Sequence, residues 1–166
     1  GRLTRIIDPE GNYVNYKYNE QGNRIEMSYH DQSDNRTYWL RYDYHYPGMR
    51  GKLWKVINPD ETFTEYGYDS SGNMASITDH EGHTRQYGYD PLNRLTSFIE
   101  PGEVTTSYKH DIHGNLVTMI DAEENETTYE YDDMGRVIST DSPDTGSVTY
   151  VYDATGNPVR KIDANG

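Results

Sequence analysis

Short runs of alternating polar and apolar residues, separated by turn-forming groups, fill this chain from end to end. Val14/Tyr16/Tyr18, Thr64/Tyr66/Tyr68, Thr127/Tyr129/Tyr131 and Val148/Tyr150/Tyr152 each fall on one side of an extended backbone, because successive strand side chains point to opposite faces. A companion run precedes each of them. It carries apolar residues at its third and sixth positions, as in Leu3/Ile6, Leu53/Val56, Met74/Ile77, Leu95/Phe98 and Leu116/Met119. Those positions differ in parity, so a regular strand would split them between two faces. Either a β-bulge or burial on both sides is required. Between the runs lie Asp-x-x-Gly groups such as Asp8-Pro9-Glu10-Gly11 and Asp79-His80-Glu81-Gly82. Asp supplies an acceptor for backbone N–H groups there, and Gly tolerates positive φ. No segment sustains a 3.6-residue period. The pattern predicts an all-β chain of tandem antiparallel β-hairpins, forming an extended, curved or spiralling sheet with almost no helix.

The hairpins repeat. Tyr-x-Tyr-Asp recurs at Tyr66–Asp69, Tyr87–Asp90, Tyr129–Asp132 and Tyr150–Asp153, and Tyr108-Lys109-His110-Asp111 fills the gap with one substitution. From Asp69 through Asp90, Asp111 and Asp132 to Asp153 each step is 21 residues. With the turn glycine as position one, units begin near residues 1, 22, 51, 72, 93, 114, 135 and 156. The unit from Gly22 to Gly51 is 29 residues long, with three extra residues before Asp43 and five in Tyr44–Arg50. The last unit is cut short. No linker or shift in composition interrupts residues 1–166, so one repeat array is expected, and its start on a repeat boundary at Gly1 suggests a piece of a longer polypeptide. A fixed period of this size implies units that bury their apolar faces against their neighbours. The residues expected to build that array are Tyr66, Tyr68, Asp69, Gly72, Tyr87, Tyr89, Asp90, Tyr129, Tyr131, Asp132, Gly135, Tyr150, Tyr152, Asp153 and Gly156.

Composition alone would suggest disorder, with 33% hydrophobic residues and a mean hydropathy of −1.03. The 17 tyrosines reverse that reading. Each buries a large ring while keeping its hydroxyl near water, and each favours strand. A balance of 15 basic against 28 acidic residues gives −13. That charge disfavours nucleic acid and anionic membranes, and suits a solvated acidic surface or a cationic partner. There is no cysteine, so neither a disulfide nor a Cys-based zinc site is available. No apolar run approaches the ~20 residues of a membrane-spanning helix.

Candidate chemistry is sparse. The aspartates at 69, 90, 111, 132 and 153 are spread one per unit, whereas Ca²⁺ needs six to eight oxygens converging on one point. They read as turn caps. His80/His83 and His110/His113 are spaced i, i+3, which would share a face on a helix but not in turns and strands, so they read as surface histidines. The tyrosine ladder could stack sugars, yet its alternation is already explained by sheet packing. There is no nucleophile elbow, phosphate loop or dinucleotide fingerprint. The expectation is a non-catalytic chain with no metal and no cofactor.

Gly72-Asn73-Met74-Ala75-Ser76-Ile77-Thr78-Asp79-His80-Glu81-Gly82 followed by Tyr87-Gly88-Tyr89-Asp90 resembles the repeat of the Rhs/YD family, and so do the other units. His110 for Tyr, Asn19 for Asp and Asn93 for Gly depart from it. The resemblance implies a wall segment of a spiralling β-shell that encloses a C-terminal toxin or other polypeptide cargo, in a bacterial protein that is secreted or held at the cell surface. Its expected partners are the rest of that polypeptide and the enclosed toxin domain. The resemblance also implies an alternative, a carbohydrate-binding or adhesion module that uses exposed Tyr. The family's self-cleaving core motif is missing, since Asp8-Pro9-Glu10-Gly11-Asn12 lacks its Leu.

Overall fold

A computed structural model describes residues 1–164. Those residues hold fifteen strands and no helix, hence no helix long and apolar enough to cross a membrane. The chain divides into two compact units, Gly1–Arg85 and the remainder from Gln86. The first contains β1 (Arg5–Ile7), β2 (Tyr13–Tyr18), β3 (Arg24–Asp31), β4 (Arg36–Asp43), β5 (Lys55–Ile57), β6 (Phe63–Tyr68) and β7 (Met74–Thr78). The boundary falls inside β8 (Thr84–Tyr89). The second unit continues with β9 (Leu95–Glu100), β10 (Val104–His110), β11 (Leu116–Ile120), β12 (Glu126–Tyr131), β13 (Val137–Ser142), β14 (Gly146–Tyr152) and β15 (Pro158–Ile162). Within each unit the strands pair antiparallel in chain order.

The parity problem resolves into a bulge at the end of six repeats; β4 and β5, which close the repeat from Gly22, pair in regular register. In β6 and β7, Tyr66 faces Ile77, Gly67 faces Ser76 and Tyr68 faces Met74, so Ala75 is skipped. Equivalent shifts fall at Lys17/Tyr18, Gly88/Tyr89, Lys109/His110, Glu130/Tyr131 and Val151/Tyr152. The extra residue returns the third and sixth apolar positions to one face, the face that carries both tyrosines. Tyr87 and Phe98, for example, meet there with ring centroids 5.2 Å apart.

These rows are half-buried rather than sealed. Among the described residues only Val148 and Thr118 are buried. Tyrosine suits such a position, because a partly wet site accepts its hydroxyl where it would penalise an unpaired polar atom in a dry core.

The second repeat, from Gly22, is eight residues longer than its neighbours. Three lengthen β3 and β4 to eight residues each, and five lie in the loop after Asp43. In that loop Tyr46 packs edge-on against Tyr68, 5.1 Å between centroids. The Tyr46 hydroxyl accepts the Tyr68 N–H at 3.2 Å and donates to the Tyr68 carbonyl at 3.4 Å.

Candidate functional site

No catalytic constellation forms among the described residues; the organised chemistry is the repeat junction itself. It begins with an Asx-type turn. In ten turns the residue at the first position, Asp or Asn, accepts the N–H of the fourth residue and donates its own N–H to the carbonyl of the fifth. At Asp69, one carboxylate oxygen accepts the N–H groups of Ser71 and Asn73, both at 2.9 Å, and the other accepts the Asn73 side chain at 3.0 Å. Asn12, Asn115, Asn125 and Asn157 repeat that last bond. Arg94 and Arg136 replace it with Nε, at 2.7 Å to Asp90 and 2.6 Å to Asp132. The fifth-position Asn or Arg therefore completes the turn, a role the sequence reading missed although the residue stands at a fixed place after each turn glycine.

The fourth position adopts positive φ, as at Gly72 (φ 86°) and Gly135 (φ 75°). Asn93 holds the same conformation at φ 60°, and so do Glu61 (φ 65°) and Glu124 (φ 64°). The last two are non-glycine residues in a region that costs them about 1–2 kcal/mol.

Hydrogen bonding pulls the carboxyls of Asp69, Asp79, Asp90, Asp111, Asp121, Asp132 and Asp153 below the usual Asp range. At Asp153 the Thr155 hydroxyl contributes most, then the Asn157 amide, and together they hold it at about 2. At Asp69 and Asp111 burial pushes the other way but is outweighed by the side chain and amide of Asn73 and Asn115. All these groups stay ionised above pH ~5.

The second tyrosine of four repeats then clasps the preceding run. Tyr68 donates its O–H to the Leu53 carbonyl at 2.8 Å, Tyr131 to Leu116 and Tyr152 to Val137 at 2.7 Å. Tyr18 does the same to Leu3. Each acceptor lies 15 residues back, at the third position of the companion run. Burial raises the Tyr68 and Tyr131 hydroxyls above their ordinary value, so they remain protonated donors at neutral pH. His110 occupies this position in its repeat, and its Nδ1 is buried with no partner.

The predicted motif residues Tyr66, Tyr87, Tyr129 and Tyr150, with Tyr68, Tyr89, Tyr131 and Tyr152, are all half-buried, as are Gly72 and Gly156; Gly135 is exposed. The structure brings together each Tyr–Asp pair, its turn and the preceding strand. Among the described residues, no three aspartates of different repeats come close enough to share an ion. Between turns lie open grooves. One of 590 Å³ is bordered by Asp111, His113, Tyr131, Asp132 and Asp133. Another of 580 Å³ lies beside the inserted loop, with Asn19, Asn23, Tyr42, Tyr44 and Arg50 on its walls.

Against known families, the model of the Teneurin YD-shell matches residues 34–166. The chain belongs to the YD-shell family. The RHS-repeat model matches the remaining start of this YD-shell chain, residues 1–37. A comparison with curated proteins gives no match. Solved structures share the YD-shell fold with it. A TcdB2–TccC3–TEV crystal structure aligns at a TM-score of 0.58 and 13% identity, over 99% of this chain and 11% of that one. The Photorhabdus luminescens Tc holotoxin pore gives 0.58 and 14% over the same shares. TcdB2–TccC3–Cdc42 gives 0.58 and 13%, over 98% of this chain and 11% of that one. This YD-shell chain thus spans about a tenth of the length of the structures it matches. Those neighbours are toxin-complex components, and the family is a structural shell element.

Proposed function

We propose that this chain is a non-catalytic wall segment of a YD-shell, in a longer polypeptide whose shell encloses a C-terminal toxin or other polypeptide cargo. The observation that carries the reading is a sheet built of clasped hairpins with almost nothing fully buried. Such strands gain order from their neighbours along the array rather than from a second layer, as the wall of a hollow body requires. The 21-residue repeats act as one array, and the function is sequestration: the wall separates its contents from solvent and protease. Its partners are then the rest of its own polypeptide and the cargo, and its setting is secretion or the cell surface of a bacterium.

The repeat tyrosines support this reading over sugar stacking. Their rings are half-buried and the second hydroxyl of the motif is engaged by a backbone carbonyl. Limited proteolysis of the full-length polypeptide, together with its cryo-electron microscopy, tests the proposal. A protected internal segment that becomes cleavable only when the shell is opened is expected. A compact particle without a cavity, or a cargo digested at once, refutes it.

A further inference from the structure

We propose that the turn from Asp79 to His83 binds a divalent transition-metal cation, with Asp79, Glu81 and His83 as its protein ligands and water completing the shell. The turn is one of eight with Asp at the first position, and its backbone bonds are the same as in the others. What differs is the fifth residue. Elsewhere the group facing the second carboxylate oxygen is the amide of Asn or the guanidinium of Arg, neither of which can release its proton to bind a metal. Here it is an imidazole.

The distances also fit a bound ion. His83 Nδ1 lies 3.2 Å from Asp79 Oδ2 and 3.4 Å from Glu81 Oε2. The nearer contact is a long hydrogen bond, and neither separation reaches the ~2.7–2.9 Å of a charge-assisted one. Ligands bound at about 2.0–2.2 Å in a tetrahedron stand roughly 3.3–3.5 Å apart, close to the two separations from His83. All three ligand atoms lie within 4.8 Å of one another.

The Asp79 carboxylate is already aimed. Its Oδ1 accepts the N–H groups of Glu81 at 3.0 Å and of His83 at 2.9 Å, leaving Oδ2 for the ligand position. One imidazole nitrogen with two carboxylates matches Zn²⁺ and its transition-metal neighbours rather than Ca²⁺, which requires six or more oxygens. The side chains are 37%, 63% and 56% exposed, so an ion can enter and keep water in its open positions. The inference rests on this turn alone and is independent of the shell reading.

Calorimetric titration of the 166-residue chain with Zn²⁺, in excess Mg²⁺ to saturate general acidic surface, tests it. One Zn²⁺ per chain is expected. His83→Asn places there the residue used by five sister turns, so it should preserve the thermal midpoint while weakening Zn²⁺ at least ~10-fold, the loss expected for one protein ligand. Glu81→Ser, which copies Ser71 of the Asp69 turn, should do the same. In NMR spectra the ring protons of His83 should shift on titration. Unchanged affinity in His83→Asn, several equivalents displaced by Mg²⁺, or shifts confined to the other histidines would each overturn the proposal.

Discussion

His110→Tyr should stabilise the protein. The motif tyrosine hydroxyls at 18, 68, 131 and 152 each donate a bond of 2.7–2.8 Å to a carbonyl 15 residues back. At position 110 the corresponding carbonyl belongs to Leu95, and imidazole is too short a substitute for phenol. The backbone is already in the right form, since the bulge at Lys109/His110 matches the one at Glu130/Tyr131. The substitution therefore adds one hydrogen bond, worth about 0.5–1.5 kcal/mol net, and removes the buried unpaired Nδ1, whose penalty is about 1–3 kcal/mol. Allowing for imperfect repacking around the larger ring, a gain of about 1–2 kcal/mol follows. Urea unfolding followed by far-UV circular dichroism is the assay. Tryptophan fluorescence would report elsewhere, because Trp39 and Trp54 both lie in the first unit. His110→Phe separates the contributions: it fills the same space without the hydroxyl and should recover only the part due to Nδ1. If Tyr and Phe at this site prove equally stable, or both fall below the parent chain, the clasp has been assigned too much energy.

Tyr131→Phe should cost about 1 kcal/mol in the same assay, by loss of the bond to Leu116. Gly72→Ala, at φ 86°, should destabilise by about 1–2 kcal/mol, while Glu124→Gly, at φ 64°, should stabilise by about 0.5–1 kcal/mol, both read as shifts in denaturation midpoint. The turn aspartates at 69, 79, 90, 111, 121, 132 and 153 bind protons less readily folded than unfolded. Their stabilisation is therefore complete above pH ~5 and is lost as pH falls through the folded values, which lie near 2 at Asp153. Circular dichroism from pH 6 to pH 1.5 should show that loss, and Asp153→Asn should flatten its lowest part, as the uncharged cap Asn19 holds its own turn through Asn23.

The strand pairs, the turns and even the bulge were legible because each follows from period and parity: Leu95 and Phe98 cannot share a face with Tyr87 and Tyr89 unless one residue is skipped. The tyrosine clasp was not. Alternation says which face Tyr68 occupies, but its hydroxyl reaches the Leu53 carbonyl just before β5, and backbone acceptors leave no mark in a sequence. Glu61 and Glu124 were also invisible as left-handed residues, because nothing about glutamate advertises positive φ; only their place in the turn does. The group at Asp79, Glu81 and His83 escaped for a related reason. Comparing His80 with His83 follows chain spacing, whereas the turn folds His83 back onto Asp79 and leaves His80 outside the group.

The clasp also bears on how such a chain acquires its structure. Its two ends are separated by only 15 residues, and within each unit every strand pairs with the next in the chain, so few contacts must wait for distant segments to meet. Low contact order of this kind favours rapid folding despite the all-β topology. A repeat can lock onto its predecessor as soon as its own tyrosine emerges from the ribosome, and the sheet can be laid down in the order in which it is synthesised.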